Sequence, residues 1–135
     1  MKKIVFFLLL ILLFLYKTQN VFAYQDAFTV DKIIIEGKIK QNNYKERYLD
    51  IAFRKGFEKL LTNILKIEDQ KKVFSTELAI IKSFVQSYRI VKEQDINGKY
   101  LAEISLSFKE DSINQFFKNN GISYSASQNF ETLIY

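Results

Sequence analysis

Asp95-Ile-Asn-Gly-Lys-Tyr-Leu-Ala-Glu-Ile-Ser-Leu-Ser-Phe108 is the stretch that decides the fold of this chain. Tyr100, Ala102, Ile104, Leu106 and Phe108 recur at every second position. Lys99, Glu103, Ser105 and Ser107 fall between them, with Leu101 the exception. A period of two marks a strand with one face buried. Asn97-Gly98 precedes it, and an extended stretch through Tyr88, Ile90 and Val91 precedes the turn, so the segment reads as a β-hairpin. A two-residue Asn97-Gly98 loop sets Ile90 against Ser105 and Tyr88 against Ser107, apolar against polar. A three-residue loop, Ile96 to Gly98, sets Ile90 against Ile104 and Tyr88 against Leu106. Register follows the buried face. The expectation is therefore the longer loop, a type I turn with Gly98 as a left-handed bulge and Asp95 in first position.

Working outward, Phe28 to Ile39 reads as a first strand, and Ile33-Ile34-Ile35 suggests burial on both of its faces. Glu36-Gly37-Lys38 ends it or marks a bulge. Asn43 to Lys66 reads as a long helix. Its apolar stripe is Tyr44, Tyr48, Ile51, Ala52, Leu60, Leu61, Ile64 and Leu65. Gly56 lies near that stripe. A helical glycine costs about 1 kcal/mol against alanine, so close approach of helix to sheet is expected there. Ile67 to Lys72 is charged and breaks the stripe. Ser75 or Thr76 is expected to cap a second helix with Leu78, Ile81, Phe84 and Val85 on its apolar face. Asp111 or Ser112 is expected to cap a last helix carrying Ile113, Phe116 and Phe117, stopped at Gly121. The order is β-α-α-β-β-α: an α+β fold, a small sheet containing antiparallel strands with helices on one face.

The N-terminus follows a different logic. Lys2 and Lys3 precede an unbroken apolar run from Ile4 to Leu15, and Lys17 to Asn20 break it. Val21 and Ala23 then suit a cut after Ala23, the three-part pattern of a secretory signal peptide over residues 1–23. The run is short for a spanning helix, which needs about 20 apolar residues. The reading is an exported protein that starts at Tyr24 in the periplasm and meets the membrane only through the segment removed. Residues 24–125 form one domain. Residues 126–135, ending Glu131-Thr-Leu-Ile-Tyr135, read as the start of a further strand.

Composition narrows the chemistry. The chain has 135 residues, 20 Lys+Arg against 15 Asp+Glu, and a net charge of +5. Three of the cations lie in the leader, so the rest carries only +2, weak grounds for a nucleic-acid partner. Histidine, cysteine, proline and tryptophan are absent. Disulfide frameworks, His/Cys zinc sites and His-activated nucleophiles fall away with them. The pairs Glu68-Asp69 and Glu110-Asp111 offer paired carboxylates, but they stand at turns or helix starts, where acids serve capping and solubility. Ser83 and Ser87 beside Lys82 read as an exposed helix face rather than a Ser–Lys dyad. Lys38, Lys40, Lys45 and Arg47 form a basic stretch, which reads as a solvated loop. No catalytic residue, metal ligand or cofactor is expected. Aromatic side chains are the remaining signal, 13 Phe and 8 Tyr. Tyr88, Tyr100, Phe116, Phe117 and Tyr124 are the candidates for an interaction surface, because aromatic residues concentrate at interfaces.

The same residues carry a resemblance. Ala52-Phe-Arg-Lys-Gly-Phe-Glu-Lys-Leu-Leu61, Phe84-Val-Gln-Ser-Tyr88, Gly98-Lys-Tyr100, Leu106-Ser-Phe108 and the stretch from Ile113 to Gly121-Ile122 resemble an exported bacterial family, domain-of-unknown-function family 2066. A second, weaker likeness is to the N-terminal domain of the flagellar T-ring protein. The resemblance covers about residues 28 to 125. It implies a Gram-negative envelope protein without known activity, and it supplies no catalytic residues. Here the first helix carries Lys and Phe where the family favours Ala. Members also run longer, so the resemblance implies a truncated member. The expected function is a non-enzymatic periplasmic module working through protein contacts, at the hairpin edge and the aromatic helix end. The alternative is a small-ligand or glycan-binding domain with a groove between the long helix and the sheet.

Overall fold

The hairpin is the centre of the computed structural model, which describes residues 26–40 and 42–123. The expected leader with its cut after Ala23, Tyr124, and the strand expected in residues 126–135 lie outside the described residues. Strand β2 (Val85–Ile96) and strand β3 (Lys99–Phe108) pair antiparallel. Their turn has two residues, not three: Ile96 pairs with Lys99, and Asn97 and Gly98 both have positive φ, 53° and 73°. Two positive φ values make the turn whose twist suits a hairpin, and Asn-Gly is the pair that adopts it. Ile90 nevertheless faces Ile104, and Tyr88 faces Leu106. A bulge between Ile90 and Lys92 absorbs the odd residue, Val91, and restores the buried face. The pairing of apolar rows was predicted correctly; the device that produces it was not.

Strand β1 (Thr29–Lys38) pairs antiparallel with β3, giving the order β1-β3-β2 with β3 central. Ile33 and Ile35 are buried, but Ile34 is 49% exposed, so the isoleucine run is covered on one face only. The strand runs on through Gly37, and its irregularity lies earlier, between Val30 and Ile33, where Lys32 has φ 56°. There the Asp31 carboxylate accepts a hydrogen bond from Ser105 Oγ at 2.5 Å, satisfying the polar side chain that is otherwise buried in β3.

Helix α1 (Tyr44–Ile64) lies on the covered face, chiefly over β1. Its buried residues are Ala52, Phe53, Gly56, Phe57, Leu60, Leu61 and Ile64. Phe53 and Phe57 thus belong to the stripe, and Ile51 stays at the surface. Gly56 sits directly on the sheet: a methyl group there would overlap the ends of Leu106 and Ile33. The charged stretch after α1 is helical, forming α2 (Ile67–Val73) with Glu68 and Asp69 in its first turn and Lys71 and Lys72 in its last. That order of charge suits the helix dipole, which is why a segment with only Val73 buried is still a helix. Helix α3 (Leu78–Phe84) starts from Glu77 without a side-chain cap. Thr76 Oγ1 instead donates back to Val73 O at 2.6 Å. Val85 leaves the helix and opens β2.

Helix α4 (Glu110–Asn119) includes Asp111 and Ser112 within its first turn rather than capped by them. Its end is a Schellman motif. Ile122 N–H donates to Phe117 O at 2.9 Å, Gly121 N–H to Lys118 O at 3.1 Å, and Gly121 has φ 67°. Phe28, Phe57, Phe108, Phe117 and Leu106 fill the core between the helices and the sheet. The fold is α+β, with one more short helix than the sequence order suggested.

Candidate interaction surface

The five aromatic candidates part company in the structure. Tyr100 is 3% exposed and belongs to the core rather than to a surface. Its ring stacks on Tyr48 at 5.4 Å and meets Tyr44 edge-on at 5.3 Å. Its hydroxyl donates to Glu93 Oε1 at 2.9 Å. Phe117 is also buried, and Phe116 is half-buried against Phe84 and Phe57. Tyr88 alone among the described candidates is well exposed, at 49%, resting edge-on against Phe53. The aromatic helix end is therefore mostly core, whereas the hairpin edge is surface.

The electrostatics tie this end of the sheet to α1. Lys45 reaches Glu93 at 2.8 Å. Hydrogen bonds from Lys45 and then Tyr100 hold the Glu93 carboxyl below its usual range, and the bond to Glu93 raises Lys45. Burial first, then the Glu93 hydrogen bond, pushes the Tyr100 hydroxyl up to about 12. A raised folded value means the neutral phenol is favoured by the fold. Its contribution to stability is intact below the ordinary value near 10 and is lost as pH rises toward 12. In absorbance titration of the phenolates, one tyrosine is expected to ionise near 12, and Tyr100→Phe removes that step. If the high-pH step survives the substitution, this assignment fails.

Several of the other chemical candidates are engaged elsewhere. Asp69 pairs with Lys72 at 2.7 Å, and Lys82 pairs with Asp50 at 2.5 Å. Ser83 Oγ donates to Ile80 O at 2.6 Å, and the Ser83 carbonyl accepts from Lys109 Nζ at 3.0 Å. Of the basic stretch, Lys45 is ion-paired and Lys38 contributes its carbonyl to Tyr48 Oη at 2.9 Å. No group of three or more acidic residues that could hold a metal ion occurs among the described residues. Leu106, Ile33 and Phe57 are buried in the interface between α1 and the sheet, where the ligand groove was expected. A shallow hollow of about 330 Å³ instead lies on the open face of the sheet near the turn, lined by Glu36, Gln94, Ile96 and Leu101.

The two edges of the sheet differ. On β1, Lys55 Nζ donates to Ile34 O at 3.2 Å and Lys59 Nζ to Asp31 O at 2.7 Å, so α1 covers that edge with ammonium groups. On β2, every residue after Val85 is exposed, and no other described segment donates to or accepts from its outer main chain. Tyr88, Ile90, Val91 and Ile96 are all over 40% exposed, and Ile51 of α1 stands at 37%. Ile90 and Val91 were read from the sequence as extended, but neither they nor Ile96 were among the five aromatic surface candidates. The adjacent Ile90-Val91 pair, breaking the alternation of β2, was the available signal. No family model, no curated protein and no solved structure matches the chain.

Proposed function

We propose that the chain is an exported envelope protein that acts by protein contact, without chemistry of its own, and that the β2 side of the hairpin is its contact surface. The observation that carries this is the contrast between the lysine-covered edge of β1 and the bare, partly apolar edge of β2. Edges of that kind are normally blunted or paired. The leader pattern and the absence of cysteine support the periplasm as its compartment, and the pattern that resembles family 2066 supports the envelope setting.

Photo-crosslinking in the native cells tests the reading. A photoreactive residue at Val91 or Ile90 is expected to trap one recurrent protein, with the product found in the periplasmic fraction. The same residue at Gln115, on the exposed side of α4, is expected to trap nothing consistently. Silence at both β2 positions, or equal trapping at Gln115, overturns the proposal.

A further inference from the structure

The bulge at Val91 does more than correct a register. Arg89 faces Ser105 and Lys92 faces Glu103, so the two cations occupy consecutive rows on the open face of the sheet. In an unbulged strand, residues three apart point to opposite faces. Arg89 has no ion-pair partner among the described residues, and Lys92 lies 3.8 Å from Glu103 while remaining 76% exposed. On the covered face, the same stretch of edge presents Tyr88 and Ile90. The edge therefore offers cations on one side and apolar side chains on the other, beside main chain that no described segment pairs.

We infer that β2 accepts an added strand from a partner protein, an extended segment in which apolar and acidic residues alternate. This rests on the contact reading above and names its chemistry. A strand laid along β2 would set its apolar residues beside Tyr88 and Ile90 and its carboxylates beside Arg89 and Lys92. Main-chain hydrogen bonds provide the attachment, and the alternating side chains provide the choice of partner. A second copy of the chain is the poorer occupant. In one face-matched register of antiparallel self-pairing centred on the bulge, Arg89 of one copy lies against Lys92 of the other. Directly opposed like charges oppose pairing. Bulge and cations together thus disfavour self-association while leaving the edge open to an acidic strand.

The test uses the whole 135-residue chain, expressed and purified in the form that accumulates. The probe is a capped hexapeptide of alternating Val and Glu, with alternate amides methylated so that only one of its edges can pair. A Val-Lys peptide of the same design is the comparison. The Val-Glu peptide is expected to bind saturably, to shift the amide resonances of Ser87 to Lys92, and to protect β2 amides from exchange. In the Arg89→Glu, Lys92→Glu double variant its affinity is expected to fall about tenfold or more, while the Val-Lys peptide gains by a similar factor. Both positions are exposed, so the variant's spectrum elsewhere should be unchanged. Failure of the Val-Glu peptide to bind, equal binding of both peptides, shifts confined to another surface, or dimerisation through β2 would each overturn the inference. Crosslinking at Val91 without peptide binding removes this partner chemistry but leaves the contact reading standing. Peptide binding without any crosslink does the reverse.

Discussion

Phe57→Ala is expected to cost about 3–5 kcal/mol of folding stability, most of what a domain of this size possesses. Phe57 is fully buried where α1, α3, β3 and α4 converge, with ring contacts to Phe84, Phe108 and Phe116 at 6.1 to 6.4 Å. Truncation removes the hydrophobic transfer energy and leaves a cavity walled by rings that three different elements hold in place. Those walls cannot collapse together. Urea unfolding checks it, the midpoint falling steeply at an unchanged slope. Ile51→Ala, on the same helix but at the surface, should cost well under half as much, about 1 kcal/mol. If the two substitutions cost the same, the core is not where the structure puts it.

Gly56→Val is the second large effect, expected at about 2–3 kcal/mol of destabilisation. An added side chain there runs into Leu106 and, at 2.9 Å from its first carbon, Ile33 Cδ1. Both residues are packed tightly in the core, so neither has room to swing aside. Gly56→Ala isolates the conflict. Alanine gains about 1 kcal/mol in helix propensity and loses more than that to overlap. Leu106→Val, which shortens the colliding side chain, should therefore cost less in the Gly56→Ala background than alone. A double-mutant cycle reads the coupling, expected at about 1 kcal/mol or more. Additive effects would show that α1 and β3 do not touch at this point.

Much of the architecture was legible because local periodicity mirrors burial. The alternation from Tyr100 to Phe108 identified the central strand, and the stripe from Ala52 to Ile64 identified the helix that covers it. The turn was misread for a specific reason. In an unbroken ladder a two-residue turn would set apolar against polar rows, and the bulge at Val91 lets that turn and the apolar pairing coexist. The isoleucine run of β1 carried no period, so nothing local could say that Ile34 faces outward. Helix α2 was missed because it buries only Val73; its stability comes from charge order and from the chain at either end.

The candidate surface divides along the same line. Sequence alone determined that the chain alternates and coils as an α+β domain, that it has no histidine or cysteine with which to build a His/Cys zinc site or a His-activated nucleophile, and that Tyr88 belongs to an extended segment. Only the tertiary structure decided that Tyr100 and Phe117 are core while Tyr88 and Ile90 meet solvent. Exposure at a sheet edge depends on which strand has no neighbour, and on where a helix distant in sequence happens to lie. Here α1 leans over β1, its lysines on that edge, and β2 is left uncovered. Strand order and helix placement are long-range outcomes of packing, and no window along the chain contains them.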